Sequence, residues 1–320
     1  MRKIGQERMR EFFDAGREAG RPFRLELPRR VVHGLYGERF ASGCGASLEF
    51  QDYREYRPGD DVRRLDWSAY ARSDRLMVRL FRNEIQSRVD ILCDFSASML
   101  VPSDGGKEKA VLYLAGLLAE ASFRASASVS LWAFGCDGTE RRRSGGGGGG
   151  AGASGKGGWE RCFPYSPSLP DFAFPDFGGC TSPLDGMEKA ADAFSVNSLR
   201  IVISDFLWEE SPETLLRGLG DSAGGVILLA VLSEEEMNPS LSGAVALTDA
   251  EDFPRTSSPM ELLIGPEERA AYLRRLENHL RLWEDAARSR GAFRYLLRLS
   301  PGGTLPDPAL LADSLILNCD

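Results

Sequence analysis

Histidine is scarce in this 320-residue chain, which holds only His33 and His279. Imidazole-based zinc sites and Ser-His hydrolytic machinery need histidines at matched positions, so both are poorly served. The six cysteines (44, 93, 136, 162, 180 and 319) include no Cys-x-x-Cys pair and no zinc spacing. Free thiols in a reducing compartment are the expectation. No stretch approaches the ~18–20 apolar residues of a membrane span. Met1-Arg2-Lys3-Ile4 leads into charged sequence rather than a signal-peptide core, so a cytoplasmic protein without a membrane span is expected. Basic charge is short as well. Residues 1–90 hold 19 Lys and Arg against 15 Asp and Glu, the remainder 20 against 32, for a net −8. With no aromatic-interleaved basic patch, nucleic acid is not an expected partner.

What the chain does have is ample apolar material, at 42% hydrophobic and 27% charged residues, so a core can form without disulfide or metal staples. Residues 5–20 read as a short polar helix. From Leu25 to Glu84 the signals are mostly strand and turn, including Arg30-Val31-Val32, Ser47–Phe50 and Leu76–Phe81. Then continuous apolar strands (Val89–Cys93, Ser128–Phe134, Leu199–Ser204, Val226–Leu232, Phe293–Leu299) alternate with helical spacing over Lys107–Arg124, Leu184–Phe194 and a long stretch from Pro266 to Gly291. Such alternation predicts an α/β fold with a doubly wound, mainly parallel sheet and helices on both faces. The expected divisions are a helical segment over 1–24, a β-rich lobe over 25–87, the α/β domain over 88–299 and a C-terminal tail over 300–320. Residues 138–158 form a Gly-rich, flexible insertion. It lacks the Gly-Lys-Ser/Thr ending of a phosphate loop and reads as an enlarged tip before an edge strand at Trp159–Phe163.

One loop carries chemistry. Asp94-Phe95-Ser96-Ala97-Ser98 follows directly on the apolar strand Val89–Cys93. A carboxylate and two hydroxyls at two-residue intervals can aim three oxygens at one point, which suits a hard cation such as Mg²⁺. The competing reading is a Ser-rich turn that satisfies its own backbone. Asp205 closes a second apolar strand. Ligands of parallel sheets gather at strand C-terminal ends, so Asp94 and Asp205 are expected on one rim. Gly179-Cys180-Thr181-Ser182 and Ser204 offer further hydroxyls.

Enzyme readings can be weighed against the same residues. A haloacid-dehalogenase-type phosphotransferase would need a second carboxylate two residues after Asp94, where this chain has Ser96. Serine hydrolysis would need a base, and His33 and His279 both read as structural. A metal-dependent hydrolase or phosphatase using Asp94, or the Asp60, Asp61 and Asp66 group, remains as the alternative. Pro58-Gly59-Asp60-Asp61-Val62-Arg63 reads first as a tight turn. Its carboxylates, with Arg57, Arg63 and Arg72, would form ion pairs to the main domain, and a partner-binding face is the second reading.

Asp94-x-Ser96-x-Ser98, Thr181 in a Gly-rich loop before a helix, and Asp205 after a core strand together resemble the metal-ion-dependent adhesion site of von Willebrand factor A domains. The resemblance covers roughly residues 88–299 and implies Asp94, Ser96, Ser98, Thr181 and Asp205 as ligands of Mg²⁺, with Mn²⁺ or Ca²⁺ as alternatives. Cys180 and Pro183 flank the third-loop pair, so Ser182 stands as an alternative to Thr181. A second stretch, Glu55-Tyr-Arg-Pro-Gly-Asp-Asp-Val-Arg-Arg-Leu-Asp-Trp67 followed by Ala71-Arg72 and Arg82-Asn83-Glu84, resembles the bacterial and archaeal family called domain of unknown function fifty-eight. There such a segment leads into a von Willebrand A-like domain, and the likeness then spans about residues 33–299. Members are commonly encoded beside MoxR-type AAA+ ATPases, regarded as chaperones of complex assembly. The resemblance therefore implies a non-enzymatic adaptor that binds a partner carboxylate through Mg²⁺ and works with such an ATPase and a client protein.

Overall fold

The computed structural model describes residues 4–26, 48–57, 65–83, 87–102, 106–136, 159–168, 172–179, 182–185, 187–250, 258–300, 305–313 and 316–319. The chain divides into a larger unit, residues 1–34 and 87–320, and a smaller one, residues 35–86. The larger unit opens with α1 (Gln6–Gly20) and β1 (Phe23–Leu25). The smaller supplies β2 (Leu48–Glu55), α2 (Trp67–Ser73) and β3 (Met77–Asn83). The larger then resumes with β4 (Arg88–Asp94), α3 (Lys107–Arg124), β5 (Ser128–Phe134), β6 (Glu160–Pro164), α4 (Met187–Ala193) and β7 (Leu199–Ser204). After these come α5 (Pro212–Gly220), β8 (Gly225–Ser233), α6 (Glu234–Met237), β9 (Gly243–Leu247) and β10 (Met260–Ile264). α7 (Pro266–Ser289), β11 (Phe293–Leu299), α8 (Pro308–Asp313) and β12 (Leu317–Cys319) complete it.

Six strands form the central sheet in the order β11-β8-β7-β4-β5-β6, parallel except for the antiparallel edge strand β6. The expected α/β class, mainly parallel sheet and edge strand are all present. The inner strands are largely apolar on both faces because both faces are covered, with Asp90 and Arg200 buried among them. Ile91, Cys93, Ile201, Ile203, Leu229 and Val231 pack with α1 and α3. Leu92, Val202, Leu228 and Trp132 alternate to the other side and pack with α4, α5 and α7. From β4 the chain steps to β5 on one side and later to β7 on the other. The gap between the C-terminal ends of β4 and β7 is therefore the switch point where parallel sheets hold ligands.

The N-terminal helix has a definite role. Met9, Phe13, Gly16 and Gly20 recur on one face of α1 and are buried against α3. The two backbones approach so closely that a Cβ on Gly16 would lie 1.9 Å from the Tyr113 carbonyl oxygen, and one on Gly116 would lie 2.1 Å from that of Phe13. The C-terminal tail folds back as well: β12 pairs antiparallel with β1, and Leu311, Ile316 and Leu317 enter the same core. In the smaller unit β2 and β3 form an antiparallel pair with a register shift at Phe50/Asp52. Cys93, Cys136 and Cys162 are unbridged. Among the described residues no helix is long and apolar enough to cross a membrane. The Arg30–Val32 strand, His33, Asp60, Asp61, Arg63 and the Gly-rich insertion at 138–158 lie outside the described residues.

Candidate functional site

Asp94 is the last residue of β4 and is fully buried. The register sets Cys93 beside Ile203, so Asp94 and Ser204 follow one step later on a shared face. There the Ser204 hydroxyl donates to Asp94 Oδ2 at 2.5 Å, while the Ser96 backbone N–H donates to Oδ1 at 2.8 Å. Both donors are neutral. Burial, reinforced by the negative charge of Asp205, pushes the Asp94 carboxyl up to about 7, against the pull of its hydrogen bonds from Ser204 and Ser96.

The loop after Asp94 is a 3₁₀ turn over Ala97–Leu100, which brings the Ser96 and Ser98 hydroxyls to 2.9 Å from each other. Ser96 is buried and Ser98 half-buried, so access is from the Ser98 side. Two oxygens on neighbouring vertices of an octahedral Mg²⁺ site, each about 2.1 Å from the ion, stand roughly 3 Å apart. The serine pair has that separation already, next to a buried carboxylate, and this oxygen-only donor set fits a hard cation.

The third loop meets the first through backbone. The Ala97 N–H donates to the Gly179 carbonyl (2.9 Å), Gly178 N–H to that of Phe95 (2.9 Å) and Gly179 N–H to that of Gly135 (3.1 Å). A Cβ at Gly179 would stand 2.4 Å from the carbonyl oxygens of Gly135 and Cys136, so only glycine fits where this loop meets the one after β5. Thr181 lies two residues on, outside the described residues. The hydroxyl of Ser182 accepts the Leu184 N–H at 3.1 Å, a local turn contact.

Asp205 is fully buried at the end of β7, on the rim expected for it. Its Oδ1 accepts the Leu207 N–H (3.1 Å), and its Oδ2 takes a salt bridge from Lys107 Nζ (2.9 Å). Phe206, next in the chain, has φ +56°, an unusual value for an aromatic residue. Trp208 and Trp283 pack on its ring, and His279 Nε2 sits 2.6 Å from its carbonyl oxygen. His279 is thus a buttress for the Asp205 loop. Lys107 Nζ also lies 2.5 Å from Glu236 Oε1, and Glu236 closes a capping box with Ser233 at the end of β8. Burial alone would depress the Lys107 ammonium, but Asp205 and Glu236 more than offset it and its pKa is raised.

The structure therefore brings Asp94, Ser96, Ser98 and Asp205 to one rim. Among the described residues no group of three or more His, Cys, Asp and Glu side chains could hold a metal. The candidate set is two carboxylates plus hydroxyls.

Residues 52–149 match the family model described as Protein of unknown function DUF58. The matched segment contains Asp94, Ser96, Ser98 and Lys107, and it ends before Thr181 and Asp205. Uncharacterized proteins of Mycobacterium bovis and of two Mycobacterium tuberculosis strains are similar, each 32% identical over 79 residues, 25% of this chain and 25% of the relative. The match thus spans about a quarter of the length of these curated relatives.

Lys107 and Glu236 were not among the sequence-predicted site residues. A cation at the first position of a helix opposes the helix dipole unless a carboxylate faces it. That anomaly, directly after Gly105-Gly106, was the available signal. Asp66 goes the other way. Its Oδ1 accepts the N–H groups of Ser68 (2.9 Å) and Ala69 (3.1 Å), capping α2. One member of the acidic group considered for hydrolysis is thereby engaged in helix capping.

Proposed function

We propose that this chain is a non-enzymatic binding module of von Willebrand A-like architecture. In this reading Asp94, Ser96, Ser98, Thr181 and Asp205 would hold Mg²⁺, with Mn²⁺ or Ca²⁺ as substitutes, and the site would capture a carboxylate of a protein partner. The observation that carries it is the pre-formed pair of hydroxyls 2.9 Å apart, beside buried Asp94 at the switch point of the sheet. The ion would supply positive charge and one exchangeable position. The protein's part is to keep the ligand oxygens aimed. Ser204 orients the Asp94 carboxylate, the Phe206 conformation presents Asp205, and the half-buried Ser98 leaves one side approachable. His279 is spent on a backbone carbonyl, and the Asp94 oxygens are held by the Ser96 N–H and the Ser204 hydroxyl, which supports reading the site as a grip on a cation.

We further propose, on what the family resemblance implies, that the partner is a MoxR-type AAA+ ATPase, with which the module would act on a client complex. The test is a pull-down of that ATPase with wild-type protein and Asp94→Ala, in Mg²⁺ and in EDTA. Binding that requires both Mg²⁺ and Asp94 is expected. Equal capture in EDTA would overturn the mechanism. Mg²⁺- or Mn²⁺-dependent phosphoester turnover abolished by Asp94→Ala would favour a hydrolase instead.

A further inference from the structure

The two rim carboxylates are neutralised differently. Asp94 receives hydrogen bonds only from neutral groups, Ser96 N–H and Ser204 Oγ. Asp205 faces a cation, Lys107 Nζ at 2.9 Å, with both side chains at most 1% exposed. A charge so buried persists only when paired. Glu236 supplies a second acceptor 2.5 Å from the same nitrogen, on a side chain that is 15% exposed. Glu236 is itself braced by the Ser233 N–H and hydroxyl, each 2.9 Å from its Oε2, so it stays in place if Lys107 changes partner.

We propose that Lys107 is a tethered cation of this site. It is a positioning residue that holds Asp205 Oδ2 in the metal-free protein and competes with a divalent ion for that carboxylate, with Glu236 retaining the ammonium once Asp205 is released. The inference rests on the metal-site reading above and adds its regulation. Three features support it. Lys107 sits at the first position of α3, where the helix dipole repels a cation, so the two carboxylates must hold it there. Asp205 has one oxygen on Leu207 N–H and the other on Lys107, so a second cation at Asp205 meets the ammonium's charge and competes with it for the carboxylate. The exchange also has a built acceptor, since Glu236 already touches the ammonium and moves nothing to receive it.

The experiment is Mn²⁺ titration of the full chain, followed by the electron paramagnetic resonance of free Mn²⁺, for wild type, Lys107→Met, Glu236→Gln and Asp94→Ala. Removing a like charge a few ångströms from the ion should tighten Mn²⁺ by about tenfold or more in Lys107→Met. Glu236→Gln leaves the ammonium only Asp205 and should weaken Mn²⁺ several-fold. Lys107→Met should also melt lower in EDTA and recover more on adding Mn²⁺ than wild type does. Unchanged or weaker Mn²⁺ binding in a folded Lys107→Met would overturn the inference while leaving the metal site standing. If that variant does not fold, an unaltered affinity in Glu236→Gln overturns it equally. Mn²⁺ bound by Lys107→Met and not by wild type supports it. Binding absent from every protein, or untouched by Asp94→Ala, overturns the metal-site reading itself and this inference with it.

Discussion

Ser204 Oγ donates to Asp94 Oδ2 at 2.5 Å, tying the ends of two adjacent parallel strands together at the switch point of the sheet. The same hydroxyl accepts the Phe206 N–H at 3.0 Å, so one serine sets both the carboxylate and the turn that presents Asp205.

Ser204→Ala removes that donor from a fully buried carboxylate. Leaving a buried acceptor short of a partner costs about 1–3 kcal/mol, and the urea midpoint should fall accordingly with an unchanged m value. An unaltered midpoint would show that the contact contributes nothing.

Stability in EDTA should depend on pH through Asp94. Its carboxyl titrates near 3.8 when unfolded and is pushed up to about 7 by burial and Asp205 when folded, so the native state holds the proton more tightly. Its contribution is full below the unfolded value and disappears as pH rises through about 7. Urea melts between pH 4 and 8 should show a decline that flattens in Asp94→Asn. A wild-type slope retained in that variant would assign it to another group.

Gly116→Ala would drive a methyl into the Phe13 carbonyl, 2.1 Å from where the Cβ must stand. Backbone on both sides leaves little room for relief. Overpacking of this kind costs roughly 1–3 kcal/mol, occasionally more. Thermal melts should drop, and limited proteolysis should cut within α1 sooner than in wild type.

Asp66→Ala deletes the cap of α2, worth about 0.5–2 kcal/mol. The loss should appear in the smaller unit's hydrogen exchange, while Mn²⁺ binding by the larger unit stays as in wild type. A lost Mn²⁺ site would favour the alternative hydrolase reading built on the Asp60, Asp61 and Asp66 group.

Much of this architecture was legible along the chain. Val226–Leu232 is apolar at every position, and Val89–Cys93 and Leu199–Ser204 at all but Asp90, Arg200 and Ser204, a pattern that a strand covered on both sides needs. The hairpin of β9 and β10 was not legible. Its residues, such as Leu263 at 74% exposure, are apolar yet exposed, and Gly-Ala-Val-Ala-Leu lacks both the alternation and the β-branched content that mark a strand. The β1–β12 pair escaped because two three-residue strands almost 300 positions apart carry no local signal.

For the site the division is sharper. The order of Asp94, Ser96, Ser98 and Asp205 at the ends of apolar strands was determined by sequence alone, because strand polarity sends those ends to one rim. Which cation faces Asp205 was decided only in three dimensions. Lys107 is 98 residues from Asp205 and 129 from Glu236, and no periodicity connects them. A buried charge takes whichever opposite charge the fold delivers within reach, and that choice exists only once the sheet is assembled.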